Sequence, residues 1–302
     1  MAIDLSNRVA IVTGAGGGLG REHALALARR GAKVLINDLG GTVDGIAASA
    51  AAAQAVADEI IASGGTALAN GASVTDFDAV QAMVKQAVDA WGGVDILVNN
   101  AGILRDKSFT KMDIGDFKLV MDVHVMGAVH CSKAVWDIMR AQNYGRIVMT
   151  TSSSGLYGNF GQANYGAAKM ALVGLMQTLA IEGAKNNIRV NCLAPTAATR
   201  MTAGLMPEAV LQALQPAYVS PAVVFLCSDD APSRAIVCAG AGSFETANIT
   251  LTHGRFVGAE PDAADQIAAH WEQISDRNDD SVPASGAAQG MIEIGNRTRA
   301  IG

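Results

Sequence analysis

The 302-residue chain has little of several features that mark whole classes of protein. Charged residues make up 17% of the sequence, the net charge is −6, and no block of Lys or Arg occurs. A nucleic-acid-binding surface therefore has no electrostatic basis. No run of about 18 uninterrupted apolar residues is present, so we expect no membrane-spanning helix. Neither a nucleic acid nor a membrane is an expected partner.

Cysteine is also scarce, and the four cysteines show neither a Cys-x-x-Cys pattern nor a Cys/His ligand spacing. We predict no metal site and interpret the cysteines as buried, reduced thiols, which are typical of a reducing compartment. The segment Met1 to Arg8 lacks the basic and apolar regions of a secretory signal, and Arg299 to Gly302 is not a peroxisomal address. We expect a cytoplasmic protein.

Apolar residues, in contrast, make up 50% of the chain, and 33 glycines are available for tight turns. Short β-branched runs alternate with longer segments of helical periodicity, which indicates βαβ units. The sequence predicts an α/β fold with a doubly wound, seven-stranded parallel sheet of the Rossmann type and helices on both faces. The predicted strands are Val9–Thr13, Lys33–Asn37, Thr66–Asn70, Ile96–Asn99, Arg146–Thr150, Arg189–Leu193 and Ala235–Cys238. The predicted helices are Leu19–Arg30, Ala47–Ser63, Phe77–Trp91, Ile114–Gln142, Tyr165–Asn186 and Pro221–Cys227.

We place this domain at residues 1–245 and interpret residues 246–302 as a C-terminal extension. Pro261–Ser275 has helical spacing of apolar residues and begins with Pro-Asp, a plausible helix start. Asp276–Gly290 is rich in Asp, Ser, Gly and Ala, which is typical of a linker. The extension is thus predicted to hold one helix, at about residues 261–275, and a loose tail.

A glycine-rich segment follows the first predicted strand and opens the first predicted helix. Gly14, Gly18 and Gly20 fit Gly-x-x-x-Gly-x-Gly, a spaced variant of the dinucleotide fingerprint. Glycines let the backbone turn sharply and approach a pyrophosphate, which lies at the positive end of the helix. We predict that these glycines and Leu19 bind a dinucleotide. The alternative is a plain flexible turn.

Asp38 ends the second predicted strand, 24 residues after Gly14. A carboxylate at this point can accept hydrogen bonds from both hydroxyls of an adenine ribose, and it repels the extra phosphate of NADP. No arginine lies beside Asp38 in the sequence. We therefore predict NAD as the cofactor. The alternative is that Asp38 merely starts the turn at Leu39–Gly41.

Tyr165 and Lys169 are four residues apart in a predicted helix, and Ser152 lies thirteen residues before the tyrosine. A spacing of four places both side chains on one helical face. A nearby cation favours a phenolate, so we predict that Lys169 lowers the pKa of Tyr165 from its ordinary value of about 10. Tyr165 could then act as an acid or base near neutral pH.

These segments occur in the order typical of the short-chain dehydrogenase/reductase family: Thr13–Gly20, Asn99–Gly102, Ser152, then Tyr165 and Lys169. The chain resembles that family over about residues 5–245. Further segments resemble one branch, the (3R)-hydroxyacyl-CoA dehydrogenase domain of peroxisomal multifunctional enzyme type 2 and its stand-alone bacterial relatives. Those segments are Asn99–Phe109, Tyr157–Lys169, Ala180–Lys185 and Ala194–Thr202. We expect no hydratase or sterol-carrier domain to follow, because too few residues remain after 245.

The resemblance implies a role for each matching residue. Tyr165 would be the catalytic acid or base, Ser152 would hold the substrate oxygen, and Lys169 would bind the nicotinamide ribose. On spacing alone, a neighbour of Ser152 could serve in its place. The other implied cofactor contacts are Asn99 and Gly102, Pro195 in the nicotinamide loop, and Ser73 and Val74 beside the adenine. A homodimer or homotetramer is also implied, because in this family the helix that carries the tyrosine often packs against its counterpart in a second subunit.

Two positions depart from the broader family. The residue that usually completes a proton relay is Asn, and the aligned segment of this chain offers His124, as nearer relatives do. The role of that side chain is therefore open. Pro195 is followed by Thr196 where many members have glycine, which alters the nicotinamide loop without removing its hydrogen-bond donors.

The predicted reaction is the NAD-dependent oxidation of a (3R)-hydroxyacyl-CoA thioester to the 3-oxoacyl-CoA. Four cations flank the expected cleft, and they could contact the CoA phosphates or be ordinary surface charges: Arg105, Lys107, Lys111 and Arg200. Thr199–Tyr218 would form a mobile apolar lid. The alternatives are another secondary-alcohol substrate, such as a steroid or a carrier-protein thioester, and an NAD-binding protein without catalytic turnover.

Overall fold

A computed structural model of the chain describes residues 2–41, 51–198 and 207–301. The chain divides into two compact units, residues 1–246 and residues 247–302. The first unit carries all of the residues that the sequence predicts for the site.

The strands are β1 (Val9–Thr13), β2 (Lys33–Asn37), β3 (Thr66–Asn70), β4 (Ile96–Asn99), β5 (Gly145–Thr150), β6 (Ile188–Thr196), β7 (Ile236–Gly240) and β8 (Ser243–Ala247). The helices of the first unit are α1 (Gly18–Arg29), α2 (Ala51–Ala62), α3 (Phe77–Trp91), α4 (Ile114–Met121), α5 (Gly127–Gln142), α6 (Ser153–Tyr157), α7 (Ala163–Gly183), α8 (Glu208–Ala213) and α9 (Ser220–Leu226). The extension holds α10 (Ala263–Ala269), α11 (Trp271–Ile274) and α12 (Gly286–Ile301). The first four residues of the predicted helix Ala47–Ser63 lie outside the described residues.

The strands form one sheet in the order β3-β2-β1-β4-β5-β6-β7-β8, and the pairs from β3 to β7 are parallel. Central strands are buried along their whole length, as in β1 and β5, because helices cover both faces of the sheet. One helix layer contains α1, α2 and α9, and the other contains α3, α5 and α7. The predicted doubly wound α/β fold is confirmed. Its strand order reverses between β1 and β4, where such folds bind ligands at the carboxyl ends of the strands.

The sheet has one strand more than the seven predicted. β8 follows β7 after the two-residue turn Ala241–Gly242, in which both residues have positive φ (50° and 79°). Such turns match the twist of a β-hairpin. β8 was missed because its residues are mostly exposed and lack an apolar run, and because the turn begins with alanine rather than with Asn or Asp.

The predicted helix Ile114–Gln142 is present, but it contains a π-helical turn at Asp122–Met126. Asp113 begins the helix by accepting hydrogen bonds from the N–H groups of Gly115 and Asp116. π-Helical turns are frequent at functional sites. This one places His124 on the buried side of the helix.

The extension differs from its prediction. The segment expected to form one helix forms two, α10 and α11, and the expected loose tail contains the 16-residue helix α12. Leu251 and Ser281 pair in an antiparallel bridge, and Asn296 of α12 donates to the His253 carbonyl (2.7 Å). Three glycines within the α12 sequence lower its helix propensity, so the sequence did not predict this helix. The contacts between distant residues could not be predicted from the sequence pattern either.

One stretch of the described residues, Ala209–Leu226, is long and apolar enough to cross a membrane by length and composition alone. Its 18 residues have a mean hydropathy of 1.4, and 33% of them are buried. The stretch is divided among α8, the 3-10 turn Pro216–Tyr218 and α9, so it is not one continuous helix.

Candidate active site

The glycine-rich loop after β1 has the compact backbone expected of a phosphate cradle. Gly14 and Gly18 have φ of +64° and +53°, in the left-handed region that favours glycine. A Cβ atom at Gly20 would overlap the Gly14 carbonyl oxygen. The loop then continues directly into α1, so its N–H groups lie at the positive end of a helix.

A hydrogen-bonded junction joins this loop to the segment after β4. The Thr13 hydroxyl oxygen accepts from the N–H groups of Asn100 (3.0 Å) and Ala101 (3.1 Å). The Asn100 side chain donates to the carbonyls of Thr13 (3.0 Å) and Gly14 (3.1 Å). Thr13 and Asn100 were not predicted as site residues, although both lie inside the two motifs that predicted the site.

Asp38 lies at the edge of the glycine-rich loop. Its two carboxylate oxygens accept from the N–H groups of Gly16 (2.7 Å) and Gly40 (2.6 Å). The two interpretations of Asp38 are therefore compatible, since it stabilises the turn after β2 and also reaches the loop. A carboxylate offers about four acceptor positions, so two remain for hydroxyl donors.

Asn99, Val74 and Lys169 line one small cavity of about 10 Å³ behind the segment after β4. Asn99 donates from Nδ2 to Ser132 Oγ (3.2 Å), while its buried Oδ1 has no partner among the described residues. Val74 is 8% exposed, and its carbonyl contacts His130 Nδ1 (2.9 Å). The structure thus brings Val74, which was predicted to lie beside the adenine, close to Asn99 and Lys169.

Two further predicted cofactor residues lie at the same edge of the sheet. Ser73 lies in the loop after β3, and its hydroxyl pairs with that of Thr75 (2.8 Å). Pro195 lies near the end of β6, opposite Ala239 of β7.

Ser152, Tyr165 and Lys169 are brought together at the end of β5. Ser152 precedes α6 and accepts from the Ser154 N–H (3.2 Å). Lys169 Nζ donates to the Thr150 carbonyl (2.6 Å) and lies 5.4 Å from the centre of the Tyr165 ring. Ser152 and Lys169 are only 8% and 3% exposed. This arrangement can hold a substrate oxygen and exchange a proton with it in a site that largely excludes water.

The electrostatics of Tyr165 differ from the prediction. Burial raises its pKa above the ordinary value, a hydrogen bond with Ser152 lowers it in part, and the Asp106 carboxylate raises it. The predicted lowering by Lys169 is not seen, since burial dominates the pKa of Tyr165. Burial also lowers the pKa of Lys169 to about 7. Near neutral pH the lysine therefore carries only part of a full positive charge.

His124 is buried between the segment after β4 and Tyr165. Its Nε2 lies 3.1 Å from the nitrogen and 2.8 Å from the carbonyl oxygen of Ile103, and its ring meets the edge of Tyr165 with 5.3 Å between ring centres. A Cβ atom at Gly102 would overlap the imidazole. Burial and the nearby Lys169 hold the His124 pKa well below its ordinary value, so the ring is neutral. Its Nδ1 has no partner among the described residues.

The cations that were expected to flank the cleft have different surroundings. Arg105 and Lys107 both pair with Asp116, at 3.3 Å and 3.8 Å, and Lys111 is exposed. Arg200 lies outside the described residues. So do residues 199–206 of the predicted lid, of which the described part consists of α8 and the following 3-10 turn.

Two side chains just before Tyr165 were also missed in the sequence. Gln162 donates to Asp106 Oδ2 (2.7 Å) and accepts from the Ser154 hydroxyl (2.7 Å), and Asn164 donates to the Arg105 carbonyl (3.0 Å). Their closeness to Tyr165 in the sequence was the only available signal.

These features fit a nicotinamide dinucleotide. The glycine-rich loop has no room for side chains at Gly14 and Gly20. Asp38 retains free acceptor positions, and the buried Asn99 Oδ1 has no hydrogen-bond donor among the described residues. Asp38 would hold the adenine ribose, the glycine-rich loop the pyrophosphate, and Lys169 the nicotinamide ribose.

Comparison with known proteins identifies the family to which this fold and these motifs correspond. The family model for short chain dehydrogenases matches residues 8–209. Peroxisomal multifunctional enzyme A of Dictyostelium discoideum is 47% identical over 305 aligned residues, which cover 100% of this chain and 68% of that protein. The solved structure of full-length peroxisomal multifunctional enzyme type 2 from Drosophila melanogaster superposes with a TM-score of 0.81 at 36% identity, covering 98% of this chain. The chain spans only 50% of that larger protein.

A third similar protein was solved with ligands. It is a 7α-hydroxysteroid dehydrogenase in complex with NADH and 7-oxo glycochenodeoxycholic acid, with a TM-score of 0.71 and 32% identity over 80% of this chain and 95% of its own. The resemblance inferred from the sequence motifs is confirmed by these matches.

Proposed function

Because the chain belongs to the short-chain dehydrogenase family and is therefore an oxidoreductase, we propose that it uses NAD to interconvert a (3R)-hydroxyacyl-CoA and the 3-oxoacyl-CoA. One observation carries this proposal: Ser152, Tyr165 and Lys169 converge at the carboxyl edge of the sheet, beside a glycine cradle with Asp38 at its edge. A nicotinamide dinucleotide is the cofactor of the family, and the choice of NAD is part of the proposal.

The site residues divide the reaction between them. In the oxidising direction, the Tyr165 phenolate takes the proton of the substrate hydroxyl, while Ser152 hydrogen-bonds the same oxygen as it changes from alcohol to ketone. The nicotinamide, when bound, supplies the acceptor for the hydride. In the reducing direction, Tyr165 returns the proton to the oxygen.

Lys169 supports the phenolate in this scheme. Burial raises the pKa of Tyr165, so a positive charge near the ring is needed for the phenolate to form. With its pKa lowered to about 7 by burial, Lys169 gains or loses its charge close to neutral pH. We expect the rate of oxidation to depend on the ionisation of both groups.

The preference for NAD follows from charge at Asp38. Its carboxylate lies against the glycine-rich loop through the Gly16 N–H, where it would repel a phosphate on the adenine ribose. The thioester substrate rests on the resemblance of the sequence motifs to the (3R)-hydroxyacyl-CoA dehydrogenase domain, and the chain matches peroxisomal multifunctional enzyme A over its whole length.

The test is a panel of substrates with NAD and with NADP, followed by absorbance of the reduced nicotinamide. It contains (3R)- and (3S)-hydroxyacyl-CoA thioesters and free secondary alcohols. The proposal predicts turnover of the (3R) thioesters with NAD. Turnover of free alcohols alone, or a preference for the (3S) isomers, would contradict it.

A bile-acid or other steroid alcohol is the second candidate substrate. The observation that favours it is the 32% identity with the 7α-hydroxysteroid dehydrogenase, whose structure contains an oxidised bile acid. Including a 7α-hydroxylated bile acid in the same panel separates the two candidates.

A further inference from the structure

The start of α7 is fastened to the loop after β4 by three hydrogen bonds. They run from Asn164 Nδ2 to the Arg105 carbonyl (3.0 Å), from Gln162 Nε2 to Asp106 Oδ2 (2.7 Å) and from the Lys107 N–H to the Gly161 carbonyl (2.9 Å). The helix held in this way carries Tyr165, and the loop continues from the Asn99–Gly102 segment. The two segments that would flank substrate and cofactor are therefore connected directly.

Gln162 differs from the other members of this contact because it also reaches a third segment. Its Oε1 accepts from the Ser154 hydroxyl (2.7 Å) and from Asn159 Nδ2 (3.0 Å). Its backbone carbonyl accepts from the Gly166 N–H (2.7 Å), which closes the first turn of α7 around Tyr165. The side-chain amide of Gln162 therefore both donates and accepts hydrogen bonds, and its backbone carbonyl accepts another.

The contact with Ser154 continues to the catalytic serine. Ser154 donates its hydroxyl to Gln162 and its N–H to Ser152 Oγ (3.2 Å). A chain of hydrogen bonds therefore connects Asp106, Gln162, Ser154 and Ser152. Because a carboxylate only accepts, the Gln162 nitrogen must face Asp106 and its oxygen must face Ser154. Every donor direction in the chain is then determined.

We propose that Gln162 is a positioning residue for this reaction, which holds the Ser152 turn, the start of α7 and the loop after β4 in one arrangement. It acts through Ser154 and through the backbone of α7, without contacting the reacting atoms itself. The proposal rests on the proposed function for the roles of Ser152 and Tyr165. A glutamine is suited to this place because one side chain must both donate and accept.

The first test compares Gln162→Ala with Gln142→Ala. Gln142 is a matched control, because its amide also donates and accepts, with the Val94 carbonyl (3.1 Å) and N–H (3.2 Å), but at the opposite edge of the sheet. We expect Gln162→Ala to lower kcat about 10- to 100-fold with the KM for NAD unchanged, since small displacements of reacting groups have effects of this size. Gln142→Ala should lower the melting temperature and leave kcat unchanged.

The second test is a rescue that reverses one hydrogen bond. Gln162→Glu removes the donor and places two carboxylates side by side, so kcat should fall. Asp106→Asn alone keeps an acceptor for Gln162. In the double variant, the new amide at position 106 can donate to the new carboxylate at position 162, which still accepts from Ser154. We expect the double variant to recover kcat about tenfold relative to Gln162→Glu, a coupling that independent effects on folding would not give.

A third readout needs no substrate. The ionisation of Tyr165 is followed by tyrosinate absorbance in the free protein, as the difference between each variant and its Tyr165→Phe counterpart. Gln162→Ala should raise the Tyr165 pKa, because the hydrogen bond with Ser152 that lowers it loses its support, whereas Gln142→Ala should not.

An unchanged kcat and an unchanged Tyr165 titration in Gln162→Ala would overturn the proposal, as would a double variant no more active than Gln162→Glu. Failure of the proposed function is seen separately, in the wild-type protein on the substrate panel. The Gln162 comparison then uses whichever alcohol is turned over, or the Tyr165 titration if none is.

Discussion

The two edges of the parallel sheet pair their buried polar groups differently. At the amino edge, the Tyr144 ring lies between the guanidinium carbons of Arg8 (3.6 Å from the ring centre) and Arg146 (4.2 Å), and its hydroxyl donates to Asp229 (2.8 Å). Arg146 is 1% exposed. Its donors reach the backbone carbonyls of Ser228, Gly145, Asn187 and Asp229 at 2.8–3.4 Å.

At the carboxyl edge, four buried atoms have no partner among the described residues: Asn99 Oδ1, Arg105 Nε, His124 Nδ1 and Thr150 Oγ1. At the amino edge, the corresponding atom is Asn186 Oδ1. An unpaired buried polar group costs about 1–3 kcal/mol. Lys169 is buried there as well, with its pKa lowered to about 7. The comparison indicates that the amino edge contributes stability, whereas the carboxyl edge retains polar groups that a ligand can use.

The largest effect is expected for Tyr165→Phe at the carboxyl edge. Loss of the proton-transferring hydroxyl should reduce kcat about 10²- to 10⁴-fold. The melting temperature should stay near that of the wild type, because the ring remains packed and only one hydroxyl is lost. Steady-state kinetics and circular dichroism measure the two quantities, and unchanged turnover would show that Tyr165 is not the acid or base.

At the amino edge, Tyr144→Ala should reduce stability and leave kcat unchanged, which is the opposite of the result expected for Tyr165→Phe. It removes a buried ring held between two arginines, so we expect a loss of about 3–5 kcal/mol in the free energy of unfolding, measured with urea. The kcat of the folded protein should not change. Tyr157→Ala is the control, because Tyr157 is 73% exposed and should cost no more than about 0.5 kcal/mol. Equal effects of the two substitutions would contradict the assigned role of the amino edge.

Asp38→Ala tests the cofactor choice made at the carboxyl edge. Removing the carboxylate removes its repulsion of the ribose phosphate, so kcat/KM for NADP relative to NAD should rise about tenfold or more. Stability should change little in comparison with Tyr144→Ala. A ratio that does not increase, measured with the substrate that the wild type uses best, would remove Asp38 from the proposal.

The last prediction concerns the pH dependence of stability caused by Lys169. Its pKa is about 7 in the folded protein and about 10.4 in an unfolded chain, so between these values only the unfolded chain binds the proton. Stability should therefore rise with pH across this window, by at most about 1.4 kcal/mol per pH unit. Lys169→Met should flatten this rise in urea titrations, whereas Lys85→Met, at an exposed position, should not. If the free energy of unfolding still rises with pH in Lys169→Met, the pH dependence is caused by other groups.

The sequence predicted most of the sheet because each parallel strand is a short apolar run between turns. The bounds of β1 to β4 were predicted to the residue. It missed β8 and α12, whose residues are mostly exposed and carry no clear apolar pattern. The motifs likewise located Gly14, Asp38, Ser152, Tyr165 and Lys169, because close backbone approach and proton transfer need these residue types at these spacings.

The direction of the Tyr165 pKa shift could not be predicted in the same way. The spacing of Tyr165 and Lys169 predicted that they lie close together, but burial raises the pKa of Tyr165 and lowers that of Lys169. Burial depends on segments far apart in the chain. The same is true of Gln162, whose partners Asp106 and Ser154 belong to the loop after β4 and to α6.

The amino-acid sequence by itself determined the α/β architecture, the dinucleotide loop and the Ser152, Tyr165 and Lys169 set, because each depends on local pattern and spacing. Only the tertiary structure decided which buried groups are paired, how far Lys169 is shifted toward neutrality and which side chain connects the loops of the site. Those properties follow from desolvation and from contacts between distant segments, and neither is encoded in any short stretch of sequence.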